Sequence, residues 1–376
     1  MALNQVGLER LNTSVTDKIG ENKNKVINGA MTVSQRHGTS SISQTTSSQY
    51  LLDRFTSAIG SSCNLDTTIS QSTDTPSGFK NSLKIEADSV VTPSGSQNGM
   101  ISQKFEGKDL QDFAFGTSDA KPITISWYAK TNATAAGNYT VKADFVSAAD
   151  GEHQSQYKLF AFTTSWTRFT YTLPATGTCL TEAIRDSTGT DFVVEFNLMC
   201  GPDDLTSEVT TWTANTGGTY QSVTGQKNFC DNASNELYIT GVQLEVGSVA
   251  TDFEHRSFGQ ELELCKRYFQ VLIDGDNTTD SFGNATCFNS TSIHFVTPLR
   301  PEMRTVPTLD YTTGSNYYNA FQNNTNDTFD TWALVGNSHT RAVDLMAASG
   351  VSVTSGASAL LRINNGSAKI RFTAEL

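Results

Sequence analysis

The stretch ELYITGVQLEVGSVATDFEHRSFGQELELCKRYFQ, residues 236–270, decides how this chain folds. Its first part alternates, with Leu237 and Ile239 on one face. After Gly241 the apolar set moves to Val242, Leu244 and Val246. A slip of parity at a glycine inside a strand predicts a β-bulge, because side chains alternate with a period of two. Ser257 followed three residues later by Gln260 reads as a capping box. Phe258, Leu262, Cys265 and Phe269 follow at helical spacing. The stretch is therefore a bulged strand, a short connector and one amphipathic helix over 257–270.

Working outward, residues 25–256 read as a run of strands. Ile123, Ile125, Trp127 and Ala129 alternate with Thr124, Ser126, Tyr128 and Lys130. Tyr139, Val141, Ala143 and Phe145 do the same, as do Phe192, Val194, Phe196, Leu198 and Cys200. One apolar and one polar face marks antiparallel sheets half-buried in a sandwich. Turn clusters TPSG at 75–78 and TGGT at 216–219 separate the strands. The expected architecture is all-β: a jelly-roll-like sandwich whose first and last strands close the unit. Residues 271–376 read as a second, smaller β-domain. Its final segment KIRFTAEL places Ile370, Phe372, Ala374 and Leu376 on one face, which suits docking into a sheet. Between lies an Asn- and aromatic-rich stretch, 312–336, read as a loop. No repeat of 20 to 50 residues and no sustained heptad pattern is visible.

The chain has 376 residues, room for two domains. Charged residues make up 17%, against ~25% in an average soluble protein. The 38 acids and 26 bases leave a net charge of −12, the wrong sign for a nucleic-acid partner. No apolar run approaches the ~18 residues a membrane helix requires. The N-terminus lacks the basic start and apolar middle of a signal peptide. Six cysteines, at 63, 179, 200, 230, 265 and 287, form no CxxC pair and no disulfide-like framework, so free thiols are expected.

Catalytic motifs are missing. GNSHT at 336–340 lacks the last glycine of a nucleophile elbow, and no HExxH occurs. The five histidines are scattered singly. DGDNTTD at 274–280 resembles the opening of a calcium loop but lacks its glycine and bidentate Glu, so it reads as a solvated turn. No cofactor or metal is expected. Carboxylate pairs for glycoside cleavage are defined by spatial separation, which sequence does not supply. Aromatics remain as candidate sugar contacts. Trp127 and Trp166 sit in strand patterns and read as core. Trp212 and Tyr220 fall in TTWTANTGGTYQS, and Tyr317, Tyr318, Phe321 and Trp332 surround the Asn-rich stretch; packing or a subunit interface would use the same residue types.

Residues 236–270, together with KVINGAMTVSQRHGTS at 25–40, resemble tail-fibre-like virion structural proteins of tailed, marine-type bacteriophages. The resemblance implies a non-enzymatic fibre protein, made in the host cytoplasm and carried on the virion tail. It implies that residues 1–24 dock the chain onto other tail or adaptor proteins, through Leu3, Val6, Leu8, Leu11, Val15 and Ile19. It implies a homotrimer attaching to a host-surface glycan, with Tyr317, Tyr318, Phe321, Trp332, Trp212 and Tyr220 as candidate receptor contacts. A purely structural decoration or collar protein, or a glycan depolymerase, is compatible with the same residues.

Overall fold

The computed structural model describes residues 23–45, 48–60, 63–146, 153–175, 184–215, 221–275, 277–314 and 316–376. The docking candidates Leu3, Val6, Leu8, Leu11, Val15 and Ile19 lie outside them, as do Tyr220 and Cys179. The described residues are almost entirely strands and turns, arranged as a jelly-roll-like β-sandwich followed by further β-structure. Two compact units divide the chain, one ending at Glu261 and the other Leu262–Leu376.

In the first unit a front sheet carries six strands. Their order is Ile42–Gln44, Thr67–Ser72, Ser82–Ala87, Glu236–Val246, Ile123–Thr131 and Thr167–Leu173. A back sheet carries seven, in the order Val209–Ala214, His153–Phe162, Gly137–Val146, Thr190–Cys200, Asn98–Glu106, Thr56–Gly60 and Gln49–Tyr50. The apolar faces predicted from alternation meet between them. Trp127 of the front sheet reaches Phe160 and Phe196 of the back sheet, with ring centroids 4.8 and 5.5 Å apart.

The bulge lies where the parity slip places it. Thr240 pairs with Tyr128 and Gln243 with Ser126, so two residues oppose one between them. Gly241 takes φ +62°, and a Cβ there would stand 2.7 Å from Phe79 and 2.9 Å from Tyr128. Only glycine fits both the conformation and the space. Leu237, Ile239, Val242 and Leu244 are consequently all buried, with Val246 partly so. This strand is interior to its sheet, not at a closing edge.

Ser82–Ala87 pairs with only the first half of that strand, up to Ile239. The second half is taken by the stretch after Asn24. Lys25 donates to the Leu244 carbonyl at 2.8 Å, and Val242 donates to the Gly29 carbonyl at 3.0 Å. A Cβ on Gly29 would meet the Val242 carbonyl at 2.1 Å, so a glycine is required for this approach. Gln103 of the back sheet accepts from the Ile27 amide and donates to its carbonyl, both at 2.9 Å.

The capping box forms reciprocally: the Ser257 amide donates to Gln260 Oε1 at 3.0 Å, and the Gln260 amide donates to Ser257 Oγ at 3.3 Å. The helix it starts, Phe258–Lys266, is shorter than the spacing suggests. Tyr268 turns back onto the Cys265 carbonyl, and Phe269 opens a strand by pairing with Thr373. Sheet pairing outweighs the helical spacing of that one residue.

The second unit holds a three-stranded sheet, with Lys369–Thr373 between Phe269–Asp274 and Thr308–Tyr311. A seven-stranded sheet packs against it through Ile293, Leu345, Leu361, Ile370 and Phe372. The terminal strand is therefore central and buried, as its apolar face suggests. Part of the Asn-rich stretch is a hairpin, Tyr318–Gln322 with Thr325–Phe329. Its two turn residues, Asn323 and Asn324, both have positive φ, which asparagine tolerates.

Candidate functional site

Neighbouring strands lie about 4.8 Å apart, so residues in register form rows across the open face of the front sheet. One row runs Ser70, Lys84, Tyr238, Lys130. Hydrophobic neighbours on either side point inward, which is why these side chains face out. Thr167 pairs with Ala129, which sets Trp166 at the end of the row beside Lys130. The Trp166 ring meets Tyr238 edge-on at 6.2 Å. Lys130 Nζ lies 4.8 Å from the Tyr238 centroid and 5.6 Å from that of Trp166, and Lys84 Nζ lies 5.7 Å from Tyr238.

Carboxylates hold the row in place. Trp166 Nε1 donates to Asp74 at 3.0 Å, and Lys130 donates to the other oxygen of that carboxylate. The hydrogen bond from Lys130 keeps Asp74 below the usual carboxylate range. Lys84 Nζ lies 2.7 Å from Glu86 and 3.0 Å from Glu236. Partial burial draws the Lys84 ammonium down, but these two hydrogen bonds outweigh it and it sits above the ordinary lysine value. The Tyr238 hydroxyl donates to Glu236 at 3.1 Å. Such part-exposed pairs contribute only ~0–1 kcal/mol each to stability; their effect here is to orient the rings.

The adjacent row is Thr68, Glu86, Glu236. It borders a groove of about 490 Å³ lined by Thr68, Glu86, Asp88, Ser234, Asn235 and Glu236. On the other side Tyr128 packs on Phe79, which in turn meets Phe253 and His255. Tyr238 itself is buried beneath the two lysines, so the face joins the half-buried rings of Trp166, Tyr128 and Phe79 to carboxylates and hydroxyls. That combination suits a ligand with apolar ring faces and hydrogen-bonding edges.

A second charged cluster lies on the outer side of the back sheet. Lys142 Nζ stands 3.3 Å from both Asp144 and Glu195, and His153 Nδ1 is 2.7 Å from Asp144. Burial opposes the Asp144 charge, but Lys142 and His153 outweigh it and hold that carboxyl low. Burial raises Glu195 despite the same lysine. Lys142, Asp144 and Glu195 are all buried, so the cluster reads as a structural network of the sheet.

The sequence-predicted contacts need correction. Tyr318 is fully buried, its hydroxyl donating to the Thr312 and Lys369 carbonyls at 2.9 and 2.7 Å. Trp332 packs edge-on against Phe329 at 5.0 Å, also in the core. Trp212 sits in a strand, buried, donating to the Pro174 carbonyl at 2.8 Å. These three rings face their own cores and have no surface to offer a ligand. Tyr317 and Phe321 stay half-buried at the surface, with Arg362 stacked 3.8 Å over Phe321. Trp166 moves the other way. It precedes the strand Thr167–Leu173, and its position opposite Lys130 turns it out of the core. The signal available in the sequence was parity: Phe169, Tyr171 and Leu173 point inward, so even-numbered Trp166 points outward.

No family model matches the sequence, and no curated protein matches it. Among solved structures, the enzymatically active domain of Bacteriophage CBA120 tailspike protein 4 is 12% identical, with 60% of this chain and 22% of that one covered and a TM-score of 0.31. The CBM22-1 xylan-binding domain of Paenibacillus barcinonensis Xyn10C is 10% identical, covering 57% and 99%, with a TM-score of 0.29. The family 11 carbohydrate-binding module of a cellulosomal cellulase of Clostridium thermocellum is 12% identical, covering 57% and 98%, with a TM-score of 0.28. The match to the tailspike spans about a fifth of that protein's length. Likenesses this distant carry no argument about what this chain binds.

Proposed function

We propose that this chain is a non-enzymatic attachment protein of a bacteriophage tail that holds host-surface glycan on the open face of its front sheet. The observation that carries the glycan part is the half-buried ring of Trp166 at the end of the row Lys84, Tyr238, Lys130, held by Asp74 and by its edge-on contact with the buried Tyr238 ring. A ring of that kind stacks on a pyranose, while Glu86, Glu236 and Thr68 serve its hydroxyls. The attachment part rests on the resemblance of residues 25–40 and 236–270 to tail-fibre-like proteins. On this reading residues 1–24 dock the chain to a tail or adaptor protein, and three chains assemble so that weak contacts add as avidity. The receptor contact is moved from the buried aromatics of the second unit to the front sheet.

The test is adsorption to host cells by particles or purified protein carrying Trp166→Ala. Loss of adsorption at unchanged melting temperature and oligomer size supports the reading. Normal adsorption sinks it, and leaves a structural decoration or collar role. Light scattering at three times the chain mass is expected for the assembly.

A further inference from the structure

Assembly of copies needs a surface, and the second unit presents one that the front sheet of the first does not involve. Its seven-stranded sheet turns one face to the core of the unit. The outer face of such an antiparallel sheet is ordinarily polar. Here the outward positions include Phe321, Leu360, Val296 and Met346, with Phe288 lying against the outward His294 ring at 5.3 Å between centroids. None of the five is buried or packed on the core of the unit. Phe288 is 71% and Val296 65% exposed, among the most exposed large apolar side chains of the described residues.

The charges on this face divide it in two. Ser281–Asn289 is the central strand, with Ser358–Ile363 and Tyr318–Gln322 on one side and Ser292–Pro298 and Ala342–Ala347 on the other. The first half carries Phe321, Leu360 and Arg362. The Arg362 guanidinium lies 3.8 Å over the Phe321 ring, and among the described residues no carboxylate or carbonyl bonds it. In a chain of 38 acids and 26 bases, a guanidinium held flat with its donors unspent is oriented for an acceptor from outside the chain. The second half carries Val296, Met346 and Asp344. The described side-chain partner of the Asp344 carboxylate is His294 at 3.1 Å, a histidine rather than a permanent cation. Apart from His294, no other residue of these five strands is charged. One half thus sets an apolar pair beside a cation, and the other an apolar pair beside an anion. A second copy of the chain supplies the matching half. A net charge of −12 sets copies against each other elsewhere, whereas here opposite charges meet.

We infer that the outer face of the seven-stranded sheet in the second unit is the contact surface between copies of this chain, with the Arg362 half of one copy set against the Asp344 half of the next. Because the halves differ, each copy meets one neighbour through each half, and head-to-tail contacts of this kind close into rings. The inference takes from the proposed function only that copies assemble. It does not depend on the front sheet holding glycan.

Light scattering of the full chain over a dilution series tests this. Arg362→Glu and Asp344→Lys should each weaken assembly about tenfold, since each puts like charges across the contact. The double variant Arg362→Glu with Asp344→Lys exchanges the charges and should recover most of the wild-type assembly. Phe288→Gln with Val296→Gln, at side chains mostly in solvent, should weaken assembly without lowering the melting temperature. A wild-type assembly that every variant leaves intact overturns the choice of face and leaves assembly itself standing. Single variants that dissociate without recovery in the double overturn the pairing of the two halves. A wild-type monomer at micromolar concentration overturns this inference and the three-chain part of the proposed function together. Adsorption of Trp166→Ala particles judges the glycan part separately.

Discussion

The backbone amide of Asn28 donates to the carboxylate of Glu261 at 2.5 Å, across 233 residues of chain. The two stretches that carry the fibre-like resemblance are thus in direct contact. Asn28 adopts φ +62°, and its side chain closes the turn by bonding Val33 in both directions and the Asp53 carbonyl. Arg256 joins Glu261 at 3.3 Å and donates to the Val26 carbonyl at 2.9 Å. The N-terminal stretch, the bulged strand and the start of the helix form one clasp.

Glu261→Ala should loosen that clasp. It leaves the buried Asn28 amide without its acceptor and takes one of several acceptors from the largely buried Arg256 guanidinium, which costs about 3 kcal/mol when a buried partner is removed. Denaturant titration reads the loss, and amide exchange at Asn28 should quicken. An unchanged midpoint would show the contact to be incidental.

Leu244→Ala should cost ~2–5 kcal/mol as a core truncation. Leu244 is fully buried because the bulge restores it to the core face. Gly241→Val should also destabilise, since it would force a β-branched residue to positive φ against Phe79. A neutral Gly241→Val would refute the account of the bulge.

Tyr318→Ala and Trp166→Ala should behave oppositely. The first empties a core position and removes two hydrogen bonds, costing ~3–5 kcal/mol by analogy with other aromatic truncations. The second removes a half-buried surface ring and should leave the melting temperature within a degree or two of wild type on the scale of ordinary surface changes. Calorimetry on both variants compares them directly.

Among the described residues, Cys63, Cys200, Cys230 and Cys287 are free thiols. Burial pushes the thiols of Cys200 and Cys230 up to about 12, so neither forms thiolate readily near neutral pH. Thiol reagents should react slowly with these two in the native protein and rapidly after denaturation. Fast native labelling of Cys230 would contradict its burial.

Stability should respond to pH through the back-sheet cluster. The hydrogen bond that His153 donates to the Asp144 carboxylate raises His153 above the ordinary histidine value. Its contribution is then full below the unfolded value near ~6.5 and is lost as pH rises through the folded one. Asp144, held low, works the other way: its contribution is lost as pH falls through its folded value. Denaturation midpoints between pH 6 and 8.5 should fall with rising pH in the wild type and flatten in His153→Gln. Identical profiles would remove His153 from the network's electrostatics.

Period-two alternation around Trp127, Tyr139 and Phe196, the parity slip at Gly241 and the Ser257–Gln260 box were enough to define the sandwich class, the bulge and the helix start. Each is a local rule in which a residue's neighbours along the chain determine its direction. The site was not legible in that way. Lys84, Lys130, Trp166 and Tyr238 are separated by up to 154 positions and become a row only through strand register. Tyr318 reads as a loop aromatic until the Asn323–Asn324 turn makes its segment a hairpin strand, and Trp332 lies outside any strand, buried through its non-local contact with Tyr318 and Phe282. Within a segment already recognised as a strand, which side chains face the core follows from local alternation, which the sequence states outright. Which polar groups meet on one face depends on non-local pairing of strands, and only the folded chain decides that.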